Sequence, residues 1–333
     1  MRNHAAGYLE RQSQTMIQCA VFIVFGIECI LKKVCIGMKT RLIIHGGAGS
    51  WPDQEDEGKR DSLIEASSAG WQILTSGGSA LDAIEKAVNI LEDEPLFDAG
   101  RGSHLNSEGV AQMDAIIVDA PTRNFGAIAG VERIRYPISL ARKVMEETSH
   151  NFIIGAGAEQ LAAELGIPLL PNSWFVTDAE WQRFREKAGA GTSDTVGAVA
   201  IDSEGRIAVA TSTGGTFFKH PGRVGDAPLY GSGAYGDPYG GVSATGVGEH
   251  SMRVLLSKYV VDQIYAGNNG QEAANLSMQY IDTVFEQSNV GVIVIDRDGI
   301  LGAAHTTEKL ACGWIDENGQ PQATMKGGLH ALR

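Results

Sequence analysis

Apolar positions recur three and four residues apart through Ile84, Ala87, Val88 and Leu91, a spacing that places them on one face of a helix. Ser79, with Asp82 three residues on, reads as a capping box at the start of that helix. The stripe is core, not a cofactor box. Upstream, a short apolar strand over 41–44 runs into a glycine loop, and a helix over 61–74 ends at Gly77-Gly78. Residues 112–118 read as a buried strand, and helices are expected at 138–147, 156–165 and 178–187. Two hairpins follow from their turn chemistry. One runs 196–201, turns at Asp202-Ser203-Glu204-Gly205 and returns over 207–211; the other occupies 291–305 around Asp296-Arg297-Asp298-Gly299. Between them, 249–264 and 271–286 read as two amphipathic helices. Hairpins and paired helices in this mixed order favour an α+β layered domain over a doubly wound sheet.

With 333 residues, 43% hydrophobic and 20% charged, a compact soluble globule is expected. The net charge of -13 argues against nucleic acid as a partner, because phosphate binding needs a basic face, while a small zwitterionic substrate is compatible. Of the four cysteines, Cys19, Cys29 and Cys35 fall in the first 37 residues and leave Cys312 alone in the body, so no disulfide framework is available and a reducing cytoplasm is expected. Those first residues form a segment apart. Their apolar run over 19–31 is interrupted by Glu28, is followed by Lys32 and Lys33, and falls short of the about 20 residues of a spanning helix. No small-x-small cleavage site follows it. Residues 1–37 therefore read as an extension outside the fold, with Met38 as the natural start and no membrane as a partner.

The stretch Ala188-Gly189-Ala190-Gly191-Thr192-Ser193-Asp194 is small and without periodicity, and it runs directly into the first hairpin strand. Such a linker suggests a processing site. Cleavage before Thr195 would free an α-amine on the residue that carries a hydroxyl, and an α-amine with a pKa of about 7.7–8.0 can serve that hydroxyl as general base. Taken alone, Thr195 reads first as a β-branched residue opening a strand, Thr213 equally as a solvated turn residue, and Arg223 with Asp226 first as a surface ion pair.

Four motifs change that reading: Asp194-Thr195-Val196-Gly197-Ala198-Val199-Ala200, Ala210-Thr211-Ser212-Thr213-Gly214-Gly215, Pro221-Gly222-Arg223-Val224-Gly225-Asp226 and Thr245-Gly246-Val247-Gly248-Glu249. In this order they resemble the plant-type L-asparaginase/isoaspartyl peptidase family of N-terminal-nucleophile (Ntn) hydrolases. The likeness extends to Ile44-His45-Gly46-Gly47-Ala48-Gly49 and Pro95-Leu96-Phe97-Asp98-Ala99-Gly100-Arg101-Gly102, and so spans residues 39–315.

The resemblance implies a four-layer αββα sandwich, one domain built from an α subunit (38–194) and a β subunit (195–333) after self-cleavage between Asp194 and Thr195. It implies Thr195 as nucleophile and Thr213 as the hydroxyl that tunes it. Arg223 and Asp226, with Val224 and Gly225 between them, would hold the substrate's α-carboxylate and α-ammonium, an Arg fork matching a carboxylate. The Thr245 hydroxyl and Gly246 N–H would form the oxyanion hole, within a second substrate loop that includes Val247 and Gly248. The loop at His45 would lie beside the nucleophile and assist autocleavage, and backbone carbonyls within 91–102 would hold a structural sodium; no redox or organic cofactor is implied. The assembly implied is an (αβ)2 dimer of processed heterodimers.

Two positions depart from the family pattern: Asp194 stands where many members have glycine, and Val247 where others have a polar or small residue. An Asp-Thr junction also occurs in glycosylasparaginases and in the threonine endopeptidase taspase. The expected activity is hydrolysis of β-aspartyl dipeptides and L-asparagine to release aspartate. A glycosylasparaginase, which needs room for a sugar and is disfavoured by the missing disulfides, and an unprocessed binding or scaffold protein of the same fold are the alternatives.

Overall fold

The computed structural model describes residues 40–187 and 195–327; the extension over 1–37, Met38, and the linker 188–194 with Asp194 lie outside the described residues. In strand β1 (Arg41–Gly49), Leu42 and Ile44 point into one apolar core and Ile43 into another, and all three are fully buried. Side chains alternate across a strand, so a strand with a core on each face reads as an unbroken apolar run.

β1 belongs to an eight-stranded sheet with β2 (Met113–Asp119), β3 (Asn124–Val131), β4 (Phe152–Ile154), β5 (Val196–Ile201), β6 (Ile207–Thr213), β11 (Lys309–Ile315) and β12 (Pro321–Thr324). Its order is β12-β11-β1-β5-β6-β2-β3-β4. A second sheet sets β7 (Ala234–Asp237), β8 (Gly240–Gly246), β9 (Val290–Asp296) and β10 (Leu301–His305) in the order β10-β9-β8-β7. Both expected hairpins form, and an aspartate organises each turn: Asp202 Oδ1 accepts the N–H groups of Glu204 and Arg206, and Asp296 Oδ1 those of Asp298 and Ile300.

Three apolar cores follow from the alternation. The first lies between one face of the large sheet and the helices α1 (Asp56–Thr75), α2 (Ala80–Asp93), α3 (Pro137–Glu147) and α4 (Gly155–Glu164); here the stripe Ile84, Ala87, Val88 and Leu91 is fully buried. Ser79 caps α2 by accepting the Asp82 N–H at 3.1 Å. The second core joins the two sheets, with Ile43, Ile116, Val199 and Val209 meeting Ile293 and Ile295. Helix α5 (Asp178–Glu186) ends just before the linker.

The third core packs Val242, Val292 and Val294 of the small sheet against helices in the 248–284 region. The single helix expected over 249–264 is broken into α6 (Gly248–Val254) and α7 (Leu256–Tyr265) by Leu255, which is left-handed at φ 51°. Neither glycine nor proline marks the break. Its cause is tertiary: Ser257 and Lys258 give their N–H groups to the carbonyls of Ser232 and Gly231, so α7 begins on a neighbouring loop. Helix α8 (Gly270–Val284) starts at a full capping box between Asn269 and Glu272. Among the described residues no helix is long and apolar enough to cross a membrane.

Candidate active site

Thr195 stands immediately before β5, and Val196 is paired with Ser212, so the strand pairing brings Thr195 opposite Thr213 at the end of β6. Thr195 Oγ1 donates to Thr213 Oγ1 at 3.0 Å, and Thr213 Oγ1 also accepts the Gly215 N–H at 2.9 Å. The solvated-turn reading of Thr213 is thereby overturned. It is the last residue of a central strand and is buried, as Thr195 is.

Behind this pair, His45 of β1 is level with Gly197. Its Nε2 meets Ser243 Oγ of β8 at 2.8 Å; Ser243 in turn meets Thr211 Oγ1 at 2.7 Å, and Thr211 donates to the Gly233 carbonyl at 3.2 Å. Burial drives the imidazole pKa down to about 3, against a backbone hydrogen bond with Thr195 that raises it, so His45 is neutral in this setting. Only glycine fits at 197: a Cβ there would fall 2.1 Å from Ser243 Oγ and 2.4 Å from His45 Nε2.

Arg223 and Asp226 do not pair with each other as a surface ion pair would. The Arg223 partner is Glu249, bound in two places, Nε to Oε1 at 3.0 Å and Nη2 to Oε2 at 2.7 Å. Asp226 is buried, and burial pushes its carboxyl up to about 6, the Arg223 charge opposing. The first residue of α6 closes on both: a Cβ at Gly248 would lie 2.8 Å from Asp226 Oδ1 and 3.1 Å from Arg223 Nη2. Val224 and Val247 are half-buried, and Gly225 abuts Arg223 Nη1. Thr245 and Gly246 are the last residues of β8, not part of a free loop. Thr245 Oγ1 is buried with no hydrogen-bond partner among the described residues, and Gly246 has φ 109°, closed to side chains by the Asn289 carbonyl. A buried donor without a partner is costly unless something else accepts from it.

The motifs converge through Gly215. Its N–H reaches Thr213, while the position of its missing Cβ lies 3.4 Å from Arg223 Nη1 and 2.8 Å from Lys219 Nζ. Lys219 is a site residue that motif reading misses: it is buried, donates to the Gln112 carbonyl at 2.7 Å, and has its ammonium pKa lowered by burial against the charges of Asp114 and Asp98. Ser243 is missed likewise, and Thr211 and Glu249 stand inside motifs that give them no role, since each contact joins distant segments.

The expected loop over 91–102 is helical through its first three residues, which end α2, and several carbonyls of the stretch already have protein donors: Glu92 O accepts the Arg101 N–H at 2.7 Å, Leu96 O the buried Lys59 ammonium at 2.7 Å, and Asp98 O the Gly214 N–H at 2.9 Å. A cation held here would draw on the others. Among the described residues no group of three or more His, Cys, Asp or Glu could hold a metal ion.

Fold and site together define the class: an α+β hydrolase of the N-terminal-nucleophile kind. A family model described as Asparaginase matches residues 38–325, and the chain belongs to that family. It is 42% identical over 274 residues to the isoaspartyl peptidase/L-asparaginase of Homo sapiens, covering 79% of this chain and 88% of that protein. The protein of the same description from Danio rerio is 39% identical over 299 residues, 87% of this chain and 93% of the relative. A plant-type L-asparaginase of Pyrococcus abyssi is 37% identical over 306 residues, 85% of this chain and 98% of the relative.

Proposed function

We infer that this protein hydrolyses β-aspartyl dipeptides and L-asparagine, releasing L-aspartate, after cutting itself between Asp194 and Thr195. The observation that carries the reading is the buried Thr195–Thr213 hydroxyl pair at 3.0 Å, set at the head of a central strand directly after the linker. Cleavage would expose the Thr195 α-amine as the base for its own hydroxyl.

In turnover, Thr195 Oγ attacks the side-chain carbonyl carbon of the substrate while the α-amine takes the hydroxyl proton. The carbonyl oxygen becomes an oxyanion held by the Thr245 hydroxyl and the Gly246 N–H, donors set in place before the charge develops. Collapse breaks the C–N bond, and the proton leaves with ammonia or the amino acid, giving a β-aspartyl ester on Thr195. Water, deprotonated by the same amine, attacks that ester; aspartate departs and the threonine is restored. Arg223 answers the substrate's α-carboxylate and Asp226 its α-ammonium, which selects a free amino acid end.

The three apolar cores, with helices outside both sheets, support the four-layer αββα reading, with 38–194 and 195–333 as α and β subunits of one domain. A structural sodium would draw on the remaining carbonyls of the 91–102 loop, Pro95 and Phe97 among them. An (αβ)2 assembly and a cytoplasmic setting, compatible with the buried free thiol of Cys312, complete the proposal.

Mass spectrometry of freshly purified protein tests it, with a fragment beginning at Thr195 expected in the wild type and none in Thr195→Ala. An intact, inactive wild-type chain would sink the enzyme reading. Given cleavage, comparing L-asparagine, β-Asp-Leu and N-acetylglucosaminyl-asparagine ranks the substrates, and preference for the last would overturn the one chosen.

A further inference from the structure

Glu249 directly follows the Thr245–Gly248 stretch and has no role in the reaction as derived above, yet its carboxylate takes two of the hydrogen bonds of Arg223, at 3.0 and 2.7 Å. We propose that Glu249 is a positioning residue, holding the Arg223 guanidinium by its Nε–Nη2 edge so that Nη1 is turned to the substrate's α-carboxylate; this rests on Arg223 being the carboxylate anchor.

Three observations carry it. The contact is side-on and bidentate, the geometry that fixes the plane of a guanidinium as well as its position. The free nitrogen has a defined direction: Nη1 lies 2.8 Å from where a Gly225 Cβ would be and 3.4 Å from that of Gly215, whose N–H binds Thr213 Oγ1. Lastly, the exposure of the two partners is unequal. The Arg223 side chain is 16% exposed and that of Glu249 52%, so the acid approaches from the solvent side, and the inward edge carries no hydrogen bond among the described residues. An arginine side chain has many rotamers to lose on binding, and a partner that has already fixed it spares the substrate that cost.

Two other readings of the same contact are excluded by different outcomes. A placeholder that competes with substrate for Arg223 would, on removal, tighten binding. An ordinary surface ion pair would, on removal, change nothing measurable.

The test uses mature protein carrying Glu249→Ala, Glu249→Gln or Arg223→Ala, each checked for complete maturation and an unchanged melting temperature. Substrates are L-asparagine and, at high concentration, L-asparaginamide, which lacks the carboxylate. Positioning predicts that Glu249→Ala raises KM for L-asparagine by about 10-fold with kcat within about 3-fold, since the lost interaction serves ground and transition state alike. Glu249→Gln, which keeps one acceptor, should recover part of the loss, and kcat/KM for asparaginamide should not move. A lower KM in Glu249→Ala, an unchanged one, or equal loss on both substrates would each overturn the proposal. If Arg223→Ala itself leaves KM for asparagine unaltered, the anchor reading fails; a normal loss there with indifference to Glu249 fails the positioning role alone.

Discussion

His45 Nε2 lies 2.8 Å from Ser243 Oγ, one strand in each sheet, so a hydrogen bond ties the two sheets together directly against Gly197 of β5. The surrounding inter-sheet core is apolar and mostly aliphatic. Truncating Ser243 to alanine would strand a buried imidazole nitrogen and leave the Thr211 hydroxyl with the Gly233 carbonyl alone, at a cost of about 1–3 kcal/mol. Urea denaturation, run in the Thr195→Ala background where the chain is expected to stay continuous, should register that loss. An undiminished midpoint would mean that the network relaxes around the gap.

Thr245 offers a hydroxyl with no protein partner among the described residues, at the end of a strand whose next residue needs a positive φ. Replacement by valine keeps the shape and removes the donor. Turnover of L-asparagine should fall by about 10²–10³ in kcat with KM little changed, the signature of a donor used on the oxyanion. A rise in KM alone would reassign the hydroxyl to substrate binding.

Asp226 carries a carboxyl that burial pushes up to about 6. Below that pH it is neutral and no longer attracts an α-ammonium, so inhibition by L-aspartate should weaken as pH falls through about 6. Binding measured with the inhibitor keeps the titration of the Thr195 amine in turnover out of the result. In Asp226→Asn the inhibition should be weak throughout and flat across that window.

Glu92 accepts from Ser212 Oγ at 2.7 Å and from the Ile138 N–H at 2.9 Å, yet burial raises its pKa from 4.5 to about 8. A raised acid binds its proton more tightly folded than unfolded. Its contribution to stability is therefore full below about 4.5, declines as pH rises, and is lost once pH has passed about 8. Glu92→Gln should remove that slope, read as melting temperature against pH.

The sequence made some of this legible and hid the rest for reasons that can be named. The α2 stripe, the Ser79 cap and the two Asp-turn hairpins follow from spacing and local chemistry, and the structure has them. Strand β8 does not advertise itself. Its Gly-Gly-Val-Ser-Ala-Thr-Gly has little apolar bulk, because a Cβ at Gly241 would meet Ile207, Val209 and Val199 of the facing sheet at 2.7–3.0 Å. Thinness there is a packing requirement, and it erases the strand signal. Thr213, Arg223, Asp226, Thr245 and Gly246 stood out through their motifs alone. Their supports Ser243, Lys219 and Glu249 are set by tertiary contact, which no local pattern encodes.

The strand order carries one more consequence. β1 is wedged between β11 and β5, while β6 is paired with β2, so segments from before and after Thr195 are interleaved at three seams of one sheet. A cut before Thr195 would leave every one of those ladders intact. What it would alter is the order of the folding reaction. The intact precursor regains its sheet as a single molecule; the cut protein, once unfolded, is two molecules that must meet, and its recovery would slow with dilution.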